Sequence, residues 1–311
     1  MLTLFSTPKP FVGHFDIIQR NALRSWKQLH PSVEVILFGD EEGAASACAE
    51  LGLRNEPHVE RHESGMKYVD RLFLCAQQIA QHDYLCYSNC DIVLLDDFWK
   101  AFEKARAWRK DFLMVGRRRD TNVTDPIDFS RPNWANDLRN LALTSGVLQH
   151  PGFIDFFVFP KGLYDHVPPL LVGRSYWDHW LVWKALTDGA ALLDCSPFSV
   201  PVHQNHDYGY HPEGKRGTDR DDLALRNKLL SGNGRHLRSI LDSTHRLTRD
   251  GDIRRKFLRP IIRSTLLGRV DYGRILLEMQ EQCQNLINKT FWIRNRIGLR
   301  RETLRKFLGR A

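Results

Sequence analysis

The stretch Tyr84-Leu-Cys-Tyr-Ser-Asn-Cys-Asp-Ile-Val-Leu-Leu95 constrains the fold more than any other part of the chain. Its first four residues are aromatic and apolar, the pattern of a strand covered on both faces in the middle of a parallel sheet. Ser88, Asn89 and Asp91 interrupt it, and Ile92 to Leu95 then returns to the interior. A carboxylate and an amide wedged between apolar runs cost free energy unless they find partners. In an open α/β sheet, ligands sit at the carboxyl ends of the strands. An isolated Asp equally well caps a turn, so the flanking sequence has to decide.

That sequence alternates strands and helices. Leu2 to Phe5 is a first strand, followed by the turn Ser6-Thr-Pro-Lys-Pro10. Phe15 to Leu29 has helical periodicity, Val33 to Asp40 is a second strand, and Glu41 to Leu51 is a second helix stopped by Gly52. Gly65 to Gln81 is a third helix, which delivers the chain to the strand at Tyr84. Beyond it, Asp96-Asp97 opens a helix to Trp108, and Phe112 to Gly116 is another buried strand. This alternation predicts a mostly parallel, doubly wound sheet flanked by helices, in the α/β class.

The 311 residues are 42% hydrophobic and 11% aromatic, ample for a core. No run is long and apolar enough to span a bilayer, and Met1 to Thr7 reads as a strand rather than a signal peptide. The six cysteines form no CxxC pair, which favours reduced thiols in a cytoplasmic protein over a zinc ribbon or a disulfide scaffold. The net charge of +8 is uneven: residues 251–311 hold 15 Lys and Arg against 5 Asp and Glu, a surplus of +10 that leaves −2 on the remainder. The basic character therefore belongs to the tail.

Four segments carry polar groups suited to a site. Arg117-Arg118-Arg119 leaves a strand directly, and guanidinium groups grip phosphate in a fork geometry. Asp155 lies within Gly152 to Pro160, the most apolar strand in the chain. Such a carboxylate is either satisfied by backbone donors or used for substrate hydroxyls. Asp178 falls near the start of a helix that follows Val172 and runs to Leu186, where the helix dipole favours the ionised form. His203, His206 and His211 follow a short strand on a polar segment that can ligate a metal.

In order and spacing these segments resemble the GT-A glycosyltransferases, the nucleotide-diphospho-sugar transferase superfamily, over about residues 1–212. Ser88-Asn-Cys-Asp91 stands where that family has Asp-x-Asp, and Thr7-Pro8 stands at its first nucleotide loop. Trp177-Asp178-His179 matches its catalytic-carboxylate helix, and His203-Gln-Asn-His206 its closing metal-ligand segment. Ile18-Gln-Arg-Asn-Ala22, Val35 to Asp40 and Gly162-Leu-Tyr also look like a bacterial subgroup of uncharacterised sugar-transferase-like proteins. The resemblance implies a Rossmann-like GT-A domain over residues 1–212 and a helical, basic extension over 213–311. It further implies donor contacts from Thr7, Pro8, Arg20, Asn89 and Asp91, and acceptor contacts from Arg118, Asp155 and Trp177. Asp178 would be catalytic, and Asp91, His206 and His203 would hold Mn2+ or Mg2+. One departure matters: the first Asp of the motif is Asn89 here, which supplies less charge to a hard cation.

The implied reaction moves a sugar from a nucleotide-diphospho-sugar to a glycan or glycolipid acceptor. A catalytically degenerate sugar-nucleotide-binding protein is the alternative that Asn89 keeps open. A nucleotidyltransferase would carry a Gly-rich loop after the first strand, and Thr7-Pro-Lys-Pro10 has none. A nucleic-acid-binding protein acting through its tail is a weaker alternative, since the body is near neutral and no nucleic-acid motif is present. Residues 213–252 read as two helices broken at Ser231 to Gly234. Phe291 to Leu308 reads as a basic amphipathic helix suited to an anionic membrane surface, at the inner face for a cytoplasmic protein.

Overall fold

The computed structural model describes residues 1–206 and 221–256, which belong to a compact unit spanning Met1–Lys256. The basic segment from Phe291 to Leu308, and His211 with it, lies outside the described residues. Among the described residues, no helix is long and apolar enough to cross a membrane.

Among the described residues, nine strands form the main sheet. They are β1 (Leu2–Ser6), β2 (Glu34–Phe38), β3 (Arg54–Glu56), β4 (Tyr84–Ser88), β6 (Phe112–Val115), β9 (Phe156–Pro160), β10 (Ala191–Asp194), β12 (His245–Leu247) and β13 (Ile253–Arg255), in the order β13-β12-β10-β6-β9-β4-β1-β2-β3. A second sheet, ordered β5-β11-β7-β8, joins β5 (Ile92–Val93), β11 (Val202–Gln204), β7 (Arg119–Thr121) and β8 (Val147–Leu148). The helices are α1 (His14–Gln28), α2 (Ala44–Leu51), α3 (Val69–Ile79), α4 (Asp96–Trp108), α5 (Trp134–Thr144), α6 (Trp177–Thr187) and α7 (Asp222–Leu230).

Strand residues alternate between two cores because successive side chains point to opposite faces. Leu2, Leu4 and Cys86 pack with Trp26 of α1, Ala47 of α2 and Phe102 of α4. Phe5, Leu85 and Tyr87 pack with Phe73 of α3 and Leu181 of α6 on the other side. Phe73 anchors that second face, with its ring 5.1 Å from Phe5 and 5.6 Å from both Tyr87 and Phe159. Both faces are thus covered, which is why the strands read as continuous apolar runs.

Seven of the nine main-sheet strands run in one direction, in agreement with the expected mostly parallel sheet. β9 runs against both its neighbours, β4 and β6, and β13 runs against β12 at the edge. The reversal of β9 is decisive for the site. Its first residue, Phe156, pairs with Ser88, the last of β4, so the start of β9 lies at the carboxyl edge of the parallel strands. Asp155 precedes the strand instead of lying within it, and emerges at that edge.

Ile92 to Leu95 returns to the interior as expected, and Ile92–Val93 does so in the second sheet, where it pairs with β11. The domain division is corrected. The boundary expected after residue 212 falls inside the compact unit. Beyond α7, Ile240–Asp242 forms only a single 3-10 turn, and β12 and β13 then extend the main sheet. The leucine spacing that suggested a second helix serves short strands and their connections.

Candidate functional site

Asp91 sits in the turn that carries the chain from β4 into β5, closed by Ile92 N donating to the Asn89 carbonyl at 3.2 Å. Gln204, wholly buried at the end of β11, fixes its backbone. The Gln204 backbone N–H and its Nε2 both donate to the Asp91 carbonyl, at 3.2 and 3.1 Å, while Nε2 also donates to Ile18 O at 2.7 Å. Asn21 of α1 donates to Gln204 Oε1 at 2.9 Å, tying the second sheet to the first helix.

With the backbone held, the carboxylate meets two imidazoles. Oδ2 of Asp91 lies 3.1 Å from Nε2 of His206 and 3.7 Å from Nε2 of His203. Both histidine side chains are 5% exposed and that of Asp91 is 18% exposed. Among the described residues these three each offer one ligand atom, all within 4.8 Å of one another. The other carboxylate oxygen, Oδ1, is buried with no hydrogen-bond partner. Burial by itself would raise the Asp91 carboxyl; His203 and His206, with a contribution from Arg118, outweigh it and hold the group well below its ordinary range.

A buried carboxylate oxygen left without a partner is costly, and two imidazoles beside it are neutral ligands once deprotonated. One carboxylate and two imidazoles therefore fit a divalent cation. The set is richer in nitrogen than an all-oxygen site, which suits Mn2+ better than Mg2+.

Asn89 takes no part in this cluster. Its Nδ2 donates to Asp155 Oδ1 at 2.7 Å, its backbone N–H donates to Asp155 O at 2.8 Å, and its Oδ1 accepts from the Tyr87 hydroxyl at 3.2 Å. Asn89 thus joins β4 to β9, and the two histidines stand beside Asp91 in its place.

Asp155, 7% exposed, also accepts from Arg118 Nη1 at 2.8 Å, while its Oδ2 is buried without a partner. Asp178, the second residue of α6, likewise has a buried Oδ1 without a partner. Burial raises its carboxyl above the ordinary value, and the Asp155 charge adds to the rise. A raised carboxyl suits a general base near neutral pH. The turn that presents it is strained: Tyr176, just before α6, has φ +87°, an uncommon value for a residue with a side chain.

The remaining sequence candidates are placed as follows. Thr7 follows β1 directly, its hydroxyl buried without a partner, and Pro8 is buried. Gln19 pins this loop by accepting from the Lys9 N–H at 2.7 Å and donating to the Lys9 carbonyl at 3.0 Å. Trp177 is 7% exposed, with its ring 5.3 Å from Tyr87 and 5.8 Å from Phe157, so it packs into the second core at the start of α6. Arg20 is engaged by Asp16 and Glu50 on α1 and α2.

The three consecutive arginines do not form a phosphate clamp. Arg117 Nε donates to Gln149 O, Arg119 Nη1 reaches the carbonyls of Ala142 and Gly146, and only Arg118 faces the carboxylates. Strand alternation is the reason, since neighbours in an extended chain point to opposite sides. Asp120 and Gln204 are participants that the sequence reading did not single out. The same period of two placed Asp120 on the face of Arg118, and that was the available signal.

No family model and no curated protein sequence matches this chain. Several solved structures are similar to it. S. aureus TarS in complex with UDP-GlcNAc is 12% identical, with a TM-score of 0.45 over 66% of this chain and 59% of that one. The mannosyltransferase PcManGT from Pyrobaculum calidifontis, in complex with GDP-Man and Mn2+, is 15% identical, with a TM-score of 0.43 over 68% and 58%. Glucosyl-3-phosphoglycerate synthase from Mycobacterium tuberculosis, in complex with Mg2+ and UDP, is 11% identical, with a TM-score of 0.41 over 66% and 72%. These are nucleotide-sugar enzymes. The chain spans about three fifths of the length of the first two, and at such scores its own residues have to carry the function.

Proposed function

We propose that this chain is a glycosyltransferase that moves a sugar from a nucleotide-diphospho-sugar donor to a hydroxyl of a glycan or glycolipid acceptor, assisted by a divalent metal. The observation that carries the reading is the Asp91–His203–His206 cluster at the carboxyl edge of the central strand, with one Asp91 oxygen left without a partner. Asp91, His203 and His206 would hold the ion, which when bound neutralises charge on the leaving nucleotide diphosphate. Thr7 and Pro8, at the end of the strand beside β4, contribute to the donor side.

Asp178 acts as the base that takes the proton from the attacking acceptor hydroxyl, a role matched to its raised carboxyl. Asp155, fixed by Asn89 and Arg118, orients the acceptor through its remaining oxygen. The lipid-linked part of the acceptor range, and a location at the inner face of a membrane, rest on the basic composition of residues 251–311.

Calorimetric titration with UDP and with GDP, each with and without Mn2+, tests the reading. The expected result is metal-dependent binding of one nucleotide, abolished in Asp91→Ala. Absence of binding to either nucleotide under every metal condition would overturn it.

A further inference from the structure

We propose that Asp120 is a positioning residue that orients His203 through its Nδ1, so that Nε2 of the same ring is presented to a divalent cation held with Asp91 and His206. The inference rests on the metal site of the proposed function and names the residue on which its geometry depends.

The two nitrogens of His203 face two different carboxylates. Nδ1 lies 3.1 Å from Asp120 Oδ1, and Nε2 lies 3.7 Å from Asp91 Oδ2. The Asp120 contact has ion-pair distance without hydrogen-bond alignment, and both atoms are buried with no other hydrogen-bond partner. An imidazole whose Nδ1–H is given to a carboxylate has a fixed tautomer and keeps its Nε2 lone pair for a metal. The sheet builds the pair in: β7 and β11 run parallel with His203 and Asp120 as register partners. The side-chain meeting therefore follows from backbone pairing.

Arg118 completes the arrangement. Its Nε lies 2.9 Å from Asp120 Oδ1 while Nη1 holds Asp155, so one buried guanidinium orders carboxylates on the metal side and on the acceptor side. Charge supports the assignment. Within these contacts Asp91, Asp120 and Asp155 contribute −3 and Arg118 contributes +1, leaving −2 when both imidazoles are neutral. A single divalent cation balances that count. If Asp120 served only to anchor Arg118, nothing would require it to stand in register with a histidine of the cluster.

The test is Mn2+ affinity of the full chain, read by electron paramagnetic resonance of the free ion. It is applied to wild type, Asp120→Asn, Asp120→Glu, His203→Ala, Asp91→Ala and the Asp120→Asn/His203→Ala double variant. Loss of an outer carboxylate that orients a ligating histidine typically weakens metal binding by about 10- to 100-fold. Asp120→Asn should show that loss, Asp120→Glu should recover part of it, and the double variant should bind no more weakly than His203→Ala alone. The Co2+ visible spectrum should shift in Asp120→Asn, which reports coordination independently of affinity. An affinity of Asp120→Asn within twofold of wild type, or an equal loss with and without His203, would overturn the role of Asp120 while leaving the metal site standing. A wild-type chain that does not bind Mn2+, or an Asp91→Ala chain that binds it as well, would overturn the site and the inference together.

Discussion

Two largely buried carboxylates stand beyond the ends of the parallel strands on either side of β1, and their partners set them apart. Glu41, just past β2, meets the Lys67 ammonium, which is only 5% exposed, and the Arg61 guanidinium, which also engages Asp40. The approach is so close that a Cβ on Gly39, at φ +134°, would lie 2.1 Å from Glu41 Oε2 and 2.7 Å from Lys67 Nζ. Asp91, past β4, meets only imidazoles within its own cluster. A lysine or arginine beside a carboxylate keeps its proton and repels a metal ion, whereas an imidazole can release its proton and become a ligand. Burial alone therefore does not mark a site; the kind of cation beside the carboxylate does.

The sharpest way to break that distinction is to remove the partner from each. Lys67→Met leaves Glu41 buried with a weaker set of partners, and breaking a buried pair of this kind costs about 3 kcal/mol or more. Asp91→Asn removes a charge that its partners hold ionised, so it costs stability above the ordinary carboxyl range, but less than Lys67→Met because the imidazoles can release their protons. Urea unfolding of both variants compares them directly. Equal losses would mean that Asp91 is as structural as Glu41.

Asp178 sharpens the comparison from the other side, because it has neither kind of cation to hold it ionised apart from His179, whose Nε2 lies 4.0 Å away. Its folded value is raised, so the stability it allows is fully present below the unfolded value of about 3.9 and is lost as pH rises through the folded value. The wild type should therefore lose stability over that interval relative to Asp178→Asn. The variant is expected to melt higher at pH 7 and to match the wild type at pH 3, while losing turnover. Thermal melts of both proteins across this range check the sign, and a variant less stable at pH 7 would contradict it.

The parts of the site that could be read in the sequence are those that depend on local pattern. The polar break between Tyr87 and Ile92 located β4, its carboxyl end and Asp91, because an uncompensated carboxylate between apolar runs has few structural explanations. The histidines of the cluster were singled out from residue type and spacing, although His203 lies within β11 and only His206 follows it. Nonlocal pairing was not legible. Nothing within Phe156–Pro160 reveals that it runs antiparallel to β4, yet that direction is what brings Asp155 to Asn89 and Arg118. The strands His245–Leu247 and Ile253–Arg255 have three residues each and are partly exposed, too short to show an alternation against the surrounding leucines. Asp120 gained its meaning only when β7 came into register with β11.

Arg20 gives the smallest expected effect and bears on how far the donor side extends. The resemblance to GT-A enzymes assigned it to the donor, whereas its guanidinium lies 2.6 Å from Asp16 on its own helix and also pairs with Glu50 of α2. Those acids, with Arg24 joined to the same Glu50, hold it on the outer side of α1 as part of a partly exposed network. Such pairs contribute within about 1 kcal/mol each, and salt screens them further. Arg20→Ala should therefore lower stability by no more than that amount. If its place in the network is its whole role, nucleotide affinity measured in the same Mn2+ titration should stay within twofold of wild type. A tenfold loss of affinity would show instead that the guanidinium leaves Asp16 and Glu50 to meet the donor. The site would then extend from the Asp91 cluster along α1, and a partly exposed arginine, not a buried one, would supply its phosphate contact.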